Sequence, residues 1–449
     1  MKYGVLYNKN NLNIGDDIQA FATARFLPQI DYFIDREHID EFKPETEEPV
    51  AVIMNAWYMW AKWNWPPSKY IVPKMIGFHY ADHQLARQPG SPIKYEFLTG
   101  LGGDYLKAYG PVGCRDYFTR DRLNEIGVDA YFSGCITMTL PKMPERENKG
   151  EYICLVDLEK RVLKKIVPLL EEKGIEVKVM THNRERDSEM SWEDRCEMVK
   201  DMLTTYQNAR CVVTKRLHCS LPCLAMDVPV YLIKEMEDDI RFEPYNDLLH
   251  RTTVTNFLHD NYEYDFLNPP PNKPEAKKYR EELIKACESF VEEVKDETRG
   301  VDELVKTTYT EADVREWRHD TMKEAMSTWL AFSRDYQIDR KKLWKLEMKE
   351  AKQIKNLKKK LEIEREKVRI LNDGAENSAE LEDSALSSVH QKAEIQHLEK
   401  EIESLKKKNK KLKKQNKELE KEKERILSSS TSSLIKFIFR RKFKHDKTL

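Results

Sequence analysis

Residues 211–218 are the part of this chain whose types and spacing best suit chemistry. Residues 211–213 are apolar and predict a buried strand. The next apolar residues, Leu217, Leu221 and Leu224, recur at helical spacing and predict a helix. Between the strand and the helix lie Lys215, Arg216 and His218, two cations and an imidazole. In a parallel sheet, ligands bind outside the carboxyl ends of strands, where helix N-termini favour anions. These residues therefore predict an anion site, or else they cap the sheet edge while His218 packs beneath the helix.

Two further polar segments follow predicted strands. Residues 13–19 contain Asn13, Asp16 and Asp17, at the start of a helix with an apolar face. We expect either that Asp16 caps this helix or that one of the two carboxylates orients a substrate. Arg115 lies in the second segment, just before a helix that Gly127 ends. Arginine suits an anionic ligand with carboxylate or phosphate groups, because its planar guanidinium binds such groups at two points.

In their order and spacing, these three segments resemble the polysaccharide pyruvyl transferase family. The resemblance rests on Asn13-Ile14-Gly15-Asp16, Gly113-Cys114-Arg115-Asp116 and Arg216-Leu217-His218, and it covers roughly residues 1–250. The chain departs from the family at residues 133–137, which read Ser-Gly-Cys-Ile-Thr where the family often has Gly-Asp-Pro.

The resemblance implies an α/β fold with two Rossmann-like domains facing a cleft, as in GT-B glycosyltransferases. It also implies phosphoenolpyruvate as donor substrate, with no cofactor and no metal, and a glycan or lipid-linked glycan as acceptor. The product would be a pyruvyl ketal. On this basis His218 and Arg216 are the expected catalytic residues, while Arg115 and Lys215 are expected to bind the donor. A histidine with an ordinary pKa near 6.5 can act as acid or base.

Aromatic residues after the strand predicted at residues 50–54 offer an acceptor platform. Four tryptophans lie within nine residues: Trp57, Trp60, Trp63 and Trp65. Indole faces can stack on sugar rings, but packing within a loop explains such a cluster as well. His79 follows the next predicted strand and either faces the same cleft or has a structural role.

Composition limits the alternatives. The chain has 449 residues, of which 40% are hydrophobic, enough for two domains and an extension. Its formal net charge of -1 gives no reason to expect nucleic-acid binding. Eight cysteines without a Cys-x-x-Cys pair favour a reduced cytoplasmic protein. We see no signal-peptide core and no apolar run near the roughly 20 residues that a bilayer span requires.

The pattern of apolar and polar runs predicts five regions. These are an N-terminal Rossmann-like domain at 1–145, a second at 150–260, a helical segment packing on the core at 261–340, an interrupted coiled coil at 341–427, and a Ser-rich linker with a basic amphipathic tail at 428–449.

The C-terminal third carries heptads. Apolar d positions recur from Leu398 to Ile426, and Asn409 and Asn416 occupy a positions, which favours a parallel homodimer. A shorter seam precedes it at residues 354–371. The alternative is a lone solvated helix. Residues 434–444 alternate bulky apolar residues with Lys and Arg, and predict peripheral attachment to the anionic inner face of the cell membrane, or else a disordered basic end.

Two other functions stay open at this point. A GT-B-like glycosyltransferase that uses a nucleotide sugar would share the fold, although no Gly-x-Gly-x-x-Gly follows the first strand. A non-catalytic scaffold on a coiled-coil stalk is the other.

Overall fold

A computed structural model of the chain describes residues 1–9, 11–58, 64–80, 98–147, 149–183, 190–237, 239–374 and 381–427. By its contacts the chain divides into two units. The first comprises residues 1–82 and 95–319, and the second comprises residues 83–94 and 320–449.

The N-terminal sheet of the first unit is parallel and has the strand order β2-β1-β3-β4. Its strands are β1 (Lys2–Tyr7), β2 (Tyr32–Asp35), β3 (Val50–Ile53) and β4 (Ile71–Lys74). Helix α1 (Ile14–Ala24) follows β1 and buries Ile14, Ile18 and Ala22 at helical spacing. This apolar stripe holds the helix on the sheet, so the residues at its start lie at the carboxyl end of β1.

A smaller parallel pair extends this region. It consists of β5 (Val112–Cys114) and β6 (Ala130–Phe132), with α2 (Gly100–Ala108) before β5 and α3 (Tyr117–Glu125) between the strands. A parallel bridge between Phe78 and Cys114 joins β5 to the segment after β4. His79 and Arg115 follow the two bridged residues, and they are therefore neighbours in space.

The C-terminal sheet is also parallel, in the order β11-β10-β9-β7-β8. Its strands are β7 (Tyr152–Val156), β8 (Glu176–Met180), β9 (Cys211–Thr214), β10 (Val230–Lys234) and β11 (His250–Thr253). The helices that accompany it are α4 (Lys160–Glu171), α5 (Trp192–Gln207), α6 (Leu217–Ala225) and α7 (Val254–Leu258).

The three central strands of the C-terminal sheet, β7, β9 and β10, are buried on both faces, as expected for a parallel sheet. Alternate residues point to opposite faces: Ile153 and Leu155 pack with α4 and α7. Cys154 and Val156 belong instead to a central core, which also takes in Val5 of the N-terminal sheet and apolar residues of α1, α5 and α6. The two sheets thus share one continuous core.

The chain then adds α8 (Ala276–Val294), whose Leu283, Cys287 and Phe290 join the central core, and α9 (Val301–Leu304). The predicted α/β class with parallel sheets is confirmed. The arrangement of two domains across a cleft stays a prediction.

The second unit is built on two long helices, α10 (Glu311–Gly374), which begins in the first unit, and α11 (Leu381–Leu427). The predicted boundary at residue 340 therefore falls inside one continuous helix. The two helices pair antiparallel. Asn409 Nδ2 donates to the carbonyl of Glu347 at 3.2 Å, and Arg365 pairs with Glu399 at 2.6 Å.

The heptad positions face this intrachain contact. Leu398, Ile402 and Leu419 of α11 are buried, and the predicted shorter seam of α10 is half-buried at Ile354 and Leu357. The seam that we assigned to a parallel homodimer therefore packs within one chain. Two seams in one chain meet at high effective concentration, which favours the hairpin. The parallel dimer itself stays a prediction, and residues 434–444 lie outside the described residues.

None of the helices in the described ranges is long and apolar enough to cross a membrane.

Spin labels on cysteines replacing Arg365 and Glu399 test the hairpin. The two residues are 34 apart in sequence, so a continuous helix would separate them by about 51 Å. We expect double electron-electron resonance to give a distance below about half of that value, because the side chains contact in the hairpin. Dilution with unlabelled chain is the control, since an intrachain distance survives it. A distance near the continuous-helix value contradicts the hairpin.

Candidate functional site

The start of α1 lies against the carboxyl end of β8. Asn13 is the N-cap of α1, and its side chain accepts from the backbone N–H of Gly15 at 3.1 Å. The backbone N–H of Ile14 donates to the carbonyl of His182, two residues after β8, at 2.9 Å. Asn13 also forms a β-bridge with Asn183. The start of α1, which packs on the N-terminal sheet, is therefore hydrogen-bonded to the residues that follow β8 of the C-terminal sheet.

His218 packs directly on Gly15. A Cβ atom at Gly15 would lie 2.9 Å from His218 Nδ1 and 3.1 Å from its Cβ, so the close approach requires glycine. His218 lies in the first turn of α6 and is half-buried. Its Nε2 has no hydrogen-bond partner among the described residues. The backbone of α1 therefore positions an imidazole that has one nitrogen available.

Arg216, the N-cap residue of α6, is held by Asp157. Its Nε donates to Asp157 Oδ2 at 2.8 Å, and its Nη2 donates to Asn183 Oδ1 at 3.3 Å. Asp157 follows β7 and also accepts from the Thr181 hydroxyl at 2.6 Å. The guanidinium is thus oriented by residues that follow two neighbouring strands. Lys215, by contrast, pairs with Glu235 at 2.6 Å.

His79 and Asp116 form a buried pair beside Arg115. His79 Nδ1 is 2.5 Å from Asp116 Oδ2, and both side chains are 0% exposed. The other oxygen of Asp116 caps α3 by accepting from the N–H of Thr119 at 2.8 Å. Arg115 is buried, and its Nε donates to no partner within the described ranges. A buried guanidinium with an unused donor is suited to an anion.

Burial and neighbouring cations keep both imidazoles neutral. Burial lowers the pKa of His218 well below 6.5, and Arg115 is the next largest cause. Burial and then Arg115 lower the pKa of His79 to about 4, against the opposing effect of Asp116. The same guanidinium acts on both histidines, so residues of the second and third sequence segments lie close together. The pKa of His218 is therefore below the ordinary value near 6.5 that we expected for this histidine.

Comparison with known protein families identifies the region that contains His79, Arg115 and His218. The family model for polysaccharide pyruvyl transferase matches residues 13–235. Residues 13–235 belong to the polysaccharide pyruvyl transferase family. This is a family of enzymes, and the match begins at the cap residue Asn13 and ends at Glu235, the partner of Lys215. No curated protein matches the chain.

Within this pyruvyl transferase region, the two aspartates of α1 are both paired with arginines. Asp17 Oδ1 accepts from Arg195 Nη1 at 3.2 Å, and Asp16 Oδ2 lies 3.5 Å from Arg36 Nη1. All four side chains are buried. The cap of α1 is Asn13 and not Asp16, because Asn13 is extended and its side chain accepts from a first-turn N–H, whereas Asp16 lies within the helix. A direct contact of either carboxylate with substrate stays a prediction.

Two members of the tryptophan cluster, Trp57 and Trp65, lie within the described residues. Trp57 is half-buried and stacks on His79 with ring centroids 6.0 Å apart, so it lies beside the candidate site. Trp65 is fully buried, and its Nε1 donates to the carbonyl of Gly102 at 3.1 Å, which confirms loop packing for this residue. Trp60 and Trp63 lie outside the described residues.

Sequence reasoning missed several residues that build this site, above all His182, Asp157 and the pairing role of Asp116. Asp157 directly follows β7, and His182 lies two residues after the end of β8. Their position at the carboxyl ends of strands was the signal that could have identified them. In the part of the chain that the structure describes, no three His, Cys, Asp or Glu side chains are grouped to hold a metal ion.

Replacing Gly15 by Ala tests the contact with His218. Overpacking this buried contact should cost about 1–3 kcal/mol, which exceeds the gain in helix propensity of about 0.5–1 kcal/mol, so the thermal midpoint should fall. The added methyl group must displace the imidazole of His218, and its NMR signals should shift strongly. The control is Gly300→Ala, where the nearest atom is 3.8 Å from the new Cβ. Unshifted His218 signals in the Gly15 variant would contradict the contact.

The lowered histidine pKa values also predict a pH dependence of stability. Each histidine binds a proton more readily in the unfolded chain, so the free energy of unfolding should fall as pH drops below 6.5. For His79 the loss continues to about pH 4. Each group contributes up to about 1.4 kcal/mol per pH unit. Urea titrations between pH 7 and 5.5 measure the slope, and His218→Gln should reduce it.

Asp116 cannot mimic this slope. Although burial raises its pKa, His79 and Arg115 lower it below 3.8 overall, so its contribution is lost only in more acidic solution. Equal slopes for the parent protein and the His218 variant would contradict the assignment.

Proposed function

We propose that the region transfers a pyruvyl group from phosphoenolpyruvate to two hydroxyls of a glycan or lipid-linked glycan, forming a ketal. One observation carries the proposal: Arg216 and His218 follow β9, His218 packs on Gly15 of α1, and Arg115, which follows β5, is close enough to lower the pKa of His218. Family membership supports a pyruvyl transfer to a polysaccharide. The donor and the ketal product are our inference from the chemistry of the side chains.

Phosphoenolpyruvate carries two anionic groups, and the site offers cations that differ in their existing partners. Arg115 has an unused Nε donor, whereas Arg216 is held in position by Asp157. The first turn of α6 adds backbone N–H groups at the same place. We therefore assign Arg115 and Arg216 to the donor. Lys215 would reach it only by leaving Glu235.

The reaction balances without any further reactant. A proton adds to the methylene carbon of the donor, and the neighbouring carbon becomes electrophilic. One sugar hydroxyl attacks that carbon, a second attacks as the carbon–phosphate oxygen bond breaks, and phosphate leaves. Of the two hydroxyl protons, one balances the new methyl group and the other leaves with phosphate.

His218 suits the proton transfers because its pKa depends on the donor. In the free protein its pKa is low, so the neutral imidazole is ready to accept a proton from a hydroxyl. The phosphate and carboxylate of a bound donor would offset the charges of Arg115 and Arg216 and raise that pKa. The same imidazole could then donate a proton to the methylene carbon.

Other parts of the proposal rest on the sequence. Trp57 offers a ring for the acceptor beside His79. A parallel homodimer and attachment of residues 434–444 to the inner face of the cell membrane remain proposals of the same kind.

Calorimetry with phosphoenolpyruvate and with UDP-glucose tests the donor. We expect phosphoenolpyruvate to bind, and Arg216→Ala to weaken it about tenfold to a hundredfold, since a charge-assisted contact contributes roughly 1.5–3 kcal/mol. Lys215→Ala is the matched control, because it removes an adjacent cation that is already paired with Glu235. Binding of UDP-glucose without phosphoenolpyruvate would favour a glycosyltransferase. Equal losses in the two variants would contradict the distinct role of Arg216.

A further inference from the structure

A large groove lies away from the histidines, between the N-terminal sheet and the chain that follows α8. Its volume is about 1010 Å³, at the upper end of the range for ligand pockets. Residues 40–43 and 66–70 form one wall, and residues 302–318 form another. All of these belong to the first unit. The proposed pyruvyl transfer uses none of the residues that line this groove.

Tyrosine rings provide much of its lining. They are Tyr70, Tyr105, Tyr109 and Tyr309, joined by Phe42. The rings of Tyr105 and Tyr109 are in contact, with centroids 4.6 Å apart, and Tyr105 also packs edge-on against Trp65 at 5.4 Å. Tyr105 and Tyr109 are therefore held in place by each other and by Trp65. Rigid aromatic rings with polar tips lose little entropy on binding a ligand that is part apolar and part hydroxylated.

Two buried hydroxyls in this lining, those of Tyr105 and Tyr309, have no hydrogen-bond partner among the described residues. Tyr105 is 3% exposed, and its hydroxyl forms no hydrogen bond with any residue that the structure describes. Burial raises its pKa, and Tyr109 and Tyr309 raise it further, so these phenol groups lie near one another and stay protonated. Tyr109 Oη, in contrast, accepts from the N–H of Lys306 at 3.1 Å. A buried hydroxyl without a partner is costly unless a ligand or water satisfies it.

The charges around the groove balance. Four acidic and four basic side chains line it. Arg318 is fixed by Asp40 at 2.7 Å and by the carbonyl of Trp65 at 3.0 Å, so it is not free to bind an anion. Such a lining disfavours a strongly charged ligand and suits one with many hydroxyl groups and no net charge.

We propose that this groove binds a neutral oligosaccharide stretch of the glycan, separate from the sugar that reacts. The inference rests on the proposed function only for the choice of a glycan as ligand. Tyr70 directly precedes β4 and His79 follows it, so the groove and the reacting groups lie toward opposite ends of that strand. A polymer held at the groove would raise the effective concentration of its other repeats at the site.

Binding of neutral trisaccharides to the full chain, without phosphoenolpyruvate, tests the groove. The probes are maltotriose, cellotriose and chitotriose. Their binding is measured by saturation-transfer NMR and calorimetry. We expect at least one to bind, and Tyr105→Phe to weaken it about threefold to tenfold by removing one hydrogen bond. Because that variant deletes an unsatisfied hydroxyl and keeps the ring, its thermal midpoint should stay the same or rise. Tyr309→Ala should weaken binding about tenfold or more through loss of stacking.

Tyr231→Phe is the matched control, because Tyr231 is a buried tyrosine of β10 that does not line the groove. It should leave trisaccharide affinity unchanged. The proposal is overturned if no trisaccharide binds, if Tyr105→Phe and Tyr309→Ala have no effect, or if a proline-rich peptide binds in place of the saccharides. Loss of donor binding would instead leave these results intact, so failure of the groove and failure of the proposed function can be told apart.

Discussion

The close contact between the imidazole of His218 and the backbone of Gly15 is the constraint on which the rest of the site depends. It brings the first turn of a helix from one parallel sheet onto the first turn of a helix from the other. Two more interactions of α1 hold this approach, the hydrogen bond from Ile14 to His182 and the buried ion pair of Asp17 with Arg195. Removing one partner of a buried ion pair costs about 3–5 kcal/mol, so the pair helps to maintain a single spacing between the sheets. Adding even one methyl group at Gly15 would move the imidazole of His218.

Most of the buried charged side chains that the structure describes are paired, whereas Arg115 keeps an unused Nε donor. Asp16, Asp17 and Asp116 each have a cationic or imidazole partner, and Arg216 is paired with Asp157. Arg115 is different, because its carbonyl accepts from Tyr245 while its Nε donates to no described residue. Its charge therefore acts on His79 and His218 and lowers the pKa of both. A site that keeps its imidazoles neutral until an anion arrives couples proton transfer to donor binding.

The C-terminal helices show how one heptad pattern permits two structures. Leu398, Ile402 and Leu419 bury themselves against α10 of the same chain, and Asn409 donates to a backbone carbonyl there. An asparagine at an a position specifies register in a parallel dimer because its amide seeks a polar partner across the seam. In the hairpin that partner is supplied intramolecularly. Heptad spacing establishes that a helix has a seam, whereas the connection between two seams decides which helix covers it.

The sequence by itself determined the α/β class with parallel sheets, the family of residues 13–235, and the grouping of Lys215, Arg216 and His218 where β9 gives way to α6. These follow from local periodicity and from the rule that polar residues at strand ends meet at one edge. Only the tertiary structure decided that Asn13 and not Asp16 caps α1, that Lys215 pairs with Glu235, that Trp65 is core, and that His182, Asp157 and Asp116 orient the site. Residues such as Gly15 and His218 are about two hundred positions apart, and local propensity carries no information on which backbone will approach a given imidazole. The same holds for pKa, because it depends on burial and on charges that only the folded chain brings together.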